Sequence, residues 1–385
     1  MTHKPSATAL VRARLIVVKI GSAVLTTPQG DLDMAVIQET ADTVADLMRA
    51  GRRVILVSSG AVAAGRGALG MLGKPATIAE KQALAAVGQS RLMHIYSEAF
   101  GRHGIIVGQM LLSRGDMEDR RRYVNARYTL EELLRRRCVP IINENDTVTV
   151  DELKFGDNDG LAALVAVKMQ ADALILLSDV DGLYDSNPKT NPDARLLETV
   201  ERVTPAMLES VSDTNAGGLA VGSGGMKSKL LAAQAATHEG VCVAIANGKR
   251  PGKLNNILSG SFRGTFFPAH PRCHSSREHW ILSTRSAASR RIVVDDGARA
   301  ALLEKKKSLL PAGIARVEGQ FRAGDVVEIV DSSGRALGRG VVNYSADELE
   351  RIKGRRTADI ARVLGSKPYD EAIHRDNLAI IRREM

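Results

Sequence analysis

The sequence predicts an α/β fold with a largely parallel central sheet, followed by a small, mostly β second domain. Three observations carry this. Apolar runs of strand length alternate with segments of helical apolar spacing from Leu15 to about residue 260, the pattern of βαβ units. Those runs repeatedly end in glycine or small polar residues, as strands do at the mouth of an α/β crevice. Beyond Arg291 the alternation stops, and short β-patterned runs separated by turns replace it.

Composition sets the outer bounds. A chain of 385 residues can hold one large and one small domain, or two of similar size. Apolar content of 44% supports a real core, and only 3% aromatic residues makes that core aliphatic. The net charge of +9 admits contact with a polyanion but does not specify one, because the excess is spread along the chain and rich in arginine. Three cysteines without a CxxC pair suit a reducing compartment. Cys138 and Cys242 lie in apolar runs and read as core packing. No stretch approaches the roughly 20 apolar residues that span a bilayer, and Met1 to Arg14 has no apolar signal-peptide core. The expectation is a soluble, cytoplasmic protein with residues 1–14 as a flexible tail.

Leu15 to Ser22 reads as a strand running into a glycine turn. Lys19 inside that apolar run is costly to bury unless it meets an anion, and Gly21 and Ser22 allow a phosphate to approach the backbone. Asp33 to Ala50 has helical spacing and stops at Gly51. A second strand, Val54 to Val57, runs into Ser58-Ser59-Gly60 before a helix opens at Ala61. Pro75 to Phe100 reads as one long helix or two, and Gly104 to Leu112 as a strand. The mixed charges of Glu118 to Arg127 suit a solvated helix face or a subunit contact, and Asn125 to Arg137 reads as helix.

The most informative stretch follows. Cys138 to Ile142 is an apolar run that delivers Asn143 at a strand's C-terminal end. Asn143-Glu144-Asn145-Asp146 and Gly156-Asp157-Asn158-Asp159-Gly160 come next, and Leu161 to Val167 reads as a helix. Asp157, Asn158 and Asp159 therefore stand at a helix N-terminus. Either cluster alone is compatible with ordinary turn chemistry. Two of them, a few residues apart and both in βα positions, favour a ligand site.

Ala173 to Leu177 is another apolar strand, ending in Ser178-Asp179. Gly222-Ser223-Gly224-Gly225-Met226-Lys227-Ser228-Lys229 opens a helix that continues to His238. Glycines before a lysine-bearing helix start resemble a phosphate cradle, although the spacing is not GxxxxGK[ST] and a P-loop is excluded. Val241 to Ala246 is a further strand. Phe262 to Arg290 reads as a loop, and its His270, Cys273, His274 and His279 match no paired zinc spacing. In the tail, Ile292 to Val294, Asp325 to Val330 and Ala336 to Asn343 are short strands, the last two joined by a hairpin turn at Asp331 to Gly334.

Two lysines, several glycine-rich strand ends and grouped Asn and Asp side chains are the parts needed for phosphoryl transfer. No Cys-His or Ser-His-Asp arrangement is in sight. A carboxylate acceptor needs none, being ionised already at neutral pH.

Taken in order, Lys19-Ile20-Gly21-Ser22, Ser58-Ser59-Gly60-Ala61, Asn143 to Asp146, Gly156 to Asp159, Ser178 to Tyr184 and Gly224 to Lys229 resemble the amino acid kinase family. The tail from about Arg291 is similar to a PUA domain. The resemblance implies a three-layer kinase domain over residues 15–262, a linker over 263–290 and a PUA-like domain over 291–384. It implies ATP-dependent phosphorylation of the γ-carboxylate of L-glutamate, the opening step of proline biosynthesis, by direct in-line transfer. Lys19 and Lys229 would flank the γ-phosphoryl group, with Asp159 fixing both. Ser59, Asp146 and Asn158 would hold glutamate, with Asn143 and Asp157 close by. Lys19, Ser178, Asp179, Ser223, Gly224, Gly225, Met226, Lys227, Ser228 and Lys229 would bind ATP, and Mg²⁺ would be held through ATP, with no metal site of the protein's own.

The resemblance further implies a homodimer or homotetramer, proline as feedback inhibitor and coupling to glutamyl phosphate reductase; RNA binding by the tail stays open. Asp146 offers acceptors to a free ammonium group, which an N-acetylated substrate lacks. Kinases of N-acetylglutamate, aspartate and uridylate are the competing assignments within the fold. The competitor from another class is an RNA-directed protein working through its tail.

Overall fold

The structure, a computed structural model, describes residues 8–148 except 72 and 74, 158–211 except 189, 225–270 except 251, and 290–381 except 306. The chain divides into two compact units, Met1–Arg272 and Cys273–Met385.

The first unit begins with a short helix, α1 (Thr8–Arg12), then β1 (Leu15–Ile20), α2 (Ser22–Leu25), α3 (Met34–Arg49) and β2 (Arg53–Ser58). The tail expected over 1–14 is thus part of the fold from Thr8. Leu10 is fully buried, and the Arg52 guanidinium donates to the Val11 carbonyl at 2.8 Å. Helices α4 (Ala61–Leu69) and α5 (Ile78–Gly101) follow, then β3 (Val107–Leu112), α6 (Arg114–Glu118), α7 (Arg120–Arg135) and β4 (Val139–Glu144). Pro75 to Phe100 therefore yields one long helix, α5, capped by Thr77, whose hydroxyl accepts from Glu80 N–H at 3.1 Å. Helix α7 starts at Arg120 because Asp119 caps it, accepting from Arg122 N–H at 2.9 Å; the mixed charges are its first turns.

The unit closes with α8 (Asn158–Lys168), β5 (Ala173–Ser178), α9 (Pro205–Ser210), α10 (Met226–His238), β6 (Cys242–Asn247), α11 (Lys253–Leu258) and β7 (Gly264–Phe267). The seven strands form one sheet in the order β3-β4-β2-β1-β5-β6-β7. All neighbours are parallel except β6 and β7. Strand β7 lies inside the stretch expected as linker. It is a four-residue antiparallel edge strand, too short to show a period, and its Phe266 and Phe267 are buried.

Central strands β1 and β5 are buried along their whole length, as strands covered on both faces must be. One apolar cluster covers one face through α3, α5 and α11; another covers the opposite face through α7, α8 and α10. Cys242 packs in the first of these, whereas Cys138, expected in the core, stands half-exposed just before β4. His270 directs its ring to the Glu201 carbonyl at 3.1 Å; Cys273, His274 and His279 lie outside the described residues.

The second unit contains β8 (Arg291–Val294), α12 (Asp296–Leu303), β9 (Ile314–Glu318), β10 (Val326–Val330), β11 (Ala336–Val341), α13 (Ala346–Ile352), α14 (Ile360–Leu364) and β12 (Leu378–Ile380). Its five strands run in the order β12-β11-β10-β8-β9, and β8 with β10 is the only parallel pair among them. The turn expected at Asp331 to Gly334 is present. Hydrogen bonds from the Ser333 hydroxyl and from Arg335 hold the Asp331 carboxyl at about 2. Ile292, Ile329, Leu349 and Ile373 form a separate core.

Candidate active site

The chain leaves β4 on one side of β1 and enters β5 on the other. Such a switch in direction opens a crevice at the C-terminal ends of the strands. Those ends carry Lys19, Ser58, Asn143, Ser178 and Asn247.

Lys19, Asp159 and Lys229 meet there. Lys19 Nζ lies 2.5 Å from Asp159 Oδ1, and Lys229 Nζ donates to Asp159 Oδ2 at 3.1 Å. The Ser228 hydroxyl is within hydrogen-bonding distance of Oδ2 as well, at 3.0 Å. Asp159 is fully buried, and the lysines are 3% and 5% exposed. Two ammonium groups thus converge on one buried carboxylate. Ammonium groups in so buried a setting interact strongly with a nearby anion. Lys229 also sits in the first turn of α10, whose dipole itself favours an anion over a cation. The N-cap residues of α4 and α10, Gly60 and Gly225, supply no side-chain acceptor for the first-turn amides, which suits phosphate oxygens.

Asn158 precedes Asp159 on α8, and consecutive helical residues face apart. Its side chain turns to a second group. Asn158 Nδ2 donates to Ser59 Oγ at 2.9 Å and to Asn143 Oδ1 at 3.1 Å. Asn143 Nδ2 donates to Gln89 Oε1 at 2.8 Å. One helix start thus joins a charged cluster to an uncharged polar one.

Glycines set the spacing of the second group. Gly60 has φ +103°, left-handed backbone that suits glycine, and it turns the chain between Ser59 and α4. Helices α4 and α5 touch through Gly65 and Gly88. A Cβ at Gly88 would fall 1.8 Å from the Ala61 carbonyl oxygen, and one at Gly65 2.0 Å from that of Leu84. Helix α5 thereby becomes a wall of the site. Its Tyr96 lies 2.8 Å from Ser58 Oγ, which donates to the Ser59 carbonyl. Burial pushes the Tyr96 phenol up to about 12, so the hydroxyl stays protonated and donates to Ser58.

The remaining expected residues are dispersed. Asp146 faces Lys81 of α5 at 3.7 Å. Ser178 Oγ donates to Asp179 Oδ1 at 3.1 Å. Met226 packs on the apolar cluster around α8 and α10, and Lys227 is exposed. Asp157, Ser223 and Gly224 lie outside the described residues. No group of His, Cys, Asp or Glu among the described residues is arranged to hold a metal ion, and none of their helices is long and apolar enough to cross a membrane. Sequence reading passed over Gln89, Tyr96 and Lys81, all on α5. The available signal was Gly88, a helix-interior glycine beside a glutamine.

Residues 14–247 match the amino acid kinase family, and residues 290–364 match the PUA domain. The chain is 49% identical to a protein named glutamate 5-kinase from Syntrophotalea carbinolica, over 96% of this chain and 98% of that one. It is 48% identical to a protein of the same name from Geobacter sulfurreducens, over 97% and 99%. A third of that name, from Moorella thermoacetica, is 46% identical over 99% and 100%.

Proposed function

The chain belongs to the amino acid kinase family, in its glutamate 5-kinase branch and with a PUA domain behind the kinase domain, and on that premise we propose how its residues transfer phosphate from ATP to the γ-carboxylate of L-glutamate. The observation that carries the reading is the buried Lys19–Asp159–Lys229 triad, two ammonium groups converging on one carboxylate at the crevice.

A γ-carboxylate oxygen forms a bond to the γ-phosphorus as the bond to the ADP oxygen breaks, and no proton has to be removed from the acceptor. Negative charge moves onto the leaving ADP. Lys19 and Lys229, each on a different oxygen of Asp159, offset that charge where burial limits water. Asp159 holds both ammonium groups in place before ATP arrives. Mg²⁺ bound through ATP would supply further charge neutralisation on the phosphates. Ser178 and Asp179, at the end of β5 beside β1, and the start of α10 are assigned to the nucleotide.

Ser59, Asn143 and Asn158 are assigned to the amino acid, together with Asp146. Asp146 and Lys81 carry opposite charges at 3.7 Å, both partly exposed, and a substrate ammonium can take over that carboxylate. Asp146→Ala should raise KM for L-glutamate by roughly 10- to 100-fold, as loss of a hydrogen bond to a charged group does, with kcat little changed. Steady-state kinetics in glutamate at saturating MgATP check this, and an unaltered KM removes Asp146 from the site.

The activity itself is tested by trapping acyl phosphate as hydroxamate with MgATP and L-glutamate, N-acetyl-L-glutamate or L-aspartate. Product with L-glutamate alone is expected. Product with N-acetylglutamate would overturn the assignment of Asp146, and product with none of the three would overturn the substrate class.

A further inference from the structure

Gln89 of α5 lies outside every motif that suggested the site, yet it terminates a hydrogen-bond relay whose polarity one backbone group dictates. Asn143 Oδ1 accepts from Glu144 N–H at 2.9 Å. An inverted Asn143 amide would set two N–H groups against each other, so the oxygen must face Glu144 and Nδ2 must face Gln89. Gln89 therefore presents Oε1, at 2.8 Å. On the other side, Asn158 Nδ2 donates to Asn143 Oδ1 and to Ser59 Oγ. Asn158 is left with Oδ1 as a buried acceptor that has no hydrogen-bond partner among the described residues. Ser59, its oxygen already accepting, keeps its hydrogen to donate. An α-amino acid asks for just such a pair, an acceptor for its ammonium group and a donor for its carboxylate.

Gln89 is 8% exposed, and its Nε2 is buried without a hydrogen-bond partner among the described residues. Neighbouring buried positions of α5 are Leu84, Ala85, Gly88 and Leu92, so an apolar side chain would serve packing there and avoid the unsatisfied donor. What an apolar side chain cannot supply is the acceptor for Asn143.

We propose that Gln89 is a positioning residue for the amino-acid substrate: through Asn143 it holds the Asn158 oxygen and the Ser59 hydroxyl in the orientation that receives the α-ammonium and a carboxylate. The inference rests on the kinase reading above.

The test uses the full chain and the hydroxamate assay with L-glutamate and MgATP. Gln89→Met keeps the length of the side chain and loses the acceptor. It should raise KM for L-glutamate on the order of tenfold, the effect of one lost hydrogen bond, while KM for ATP stays within about twofold. Gln89→Glu keeps an oxygen opposite Asn143 Nδ2 and should lie closer to wild type than Gln89→Met. In an Asn143→Ala background Gln89→Met should add no further rise, because residues that act through one another are not additive. An unchanged glutamate KM, an equal rise in both KM values, or effects that multiply in the double variant would each overturn the proposal. If thermal unfolding shows Gln89→Met to be unfolded, Gln89→Asn, which withdraws the acceptor by one methylene, replaces it with the same split expected. A wild-type protein that gives no hydroxamate with L-glutamate sinks the kinase reading and this inference with it; an active wild type with an indifferent Gln89→Met sinks this inference alone.

Discussion

Lys229→Ala is expected to lower kcat for acyl-phosphate formation by about 10²- to 10³-fold, the usual loss on removing one preorganised donor from a developing charge, with a much smaller change in KM for glutamate. Lys229 contacts Asp159 from the first turn of α10, whereas the residues assigned to glutamate are joined through Asn143, Asn158 and Ser59. The lysine should therefore matter most as charge shifts toward ADP, and an interaction realised only then lowers kcat and kcat/KM together. Lys229→Arg should recover little, because a planar guanidinium cannot occupy the point position of an ammonium group that is 5% exposed. The check is initial-rate kinetics in both substrates. A Lys229→Ala enzyme with wild-type kcat would remove this residue from the chemistry.

Two members of the triad were legible in the sequence because each breaks a local rule, whereas Asp159, an acid favourably placed at a helix start, took its role from the resemblance alone. Lys19 is a cation in an apolar run, and Lys229 a lysine in a glycine-rich helix start. Each costs free energy unless another repays it, and the parallel order of β1, β2, β4 and β5 delivers Lys19 and the loops that carry its partners to one edge. Alternating apolar runs made the sheet legible for the same reason: buried strands need no pattern beyond continuity.

What sequence did not disclose has no local signature. Gln89 resembles any polar residue on a helix until Gly88 brings α5 against Ala61. Tyr96 becomes a donor in the site through contact with Ser58, 38 positions away along the chain. Strand β7 pairs antiparallel at an edge over four residues, too few for periodicity to register. Helix α1 holds a single fully buried anchor, Leu10, which a polar segment conceals. In each case tertiary contact, rather than residue pattern, decides the role.

Asp159→Asn should be the most damaging conservative change in the chain, and its effect divides into two measurable parts. The amide nearly preserves shape but removes the charge that offsets Lys19 and Lys229, which approach different oxygens at 2.5 and 3.1 Å. The two buried ammonium groups then lose the carboxylate they share. Removing one partner of a buried ion pair costs about 3–5 kcal/mol, and with Asp159 fully buried solvent does little to reduce that cost. The ligand-free variant should melt well below wild type, and kcat should fall with the loss of lysine positioning. ATP brings negative charge to the same cluster. Its binding should therefore raise the melting temperature of Asp159→Asn by more than that of wild type, since a ligand stabilises according to its affinity for the native state. Differential scanning fluorimetry of both proteins, with and without MgATP, separates the contributions. A variant as stable as wild type without ligand would mean that the lysines do not depend on Asp159. A normal kcat in a destabilised variant would confine the carboxylate to folding.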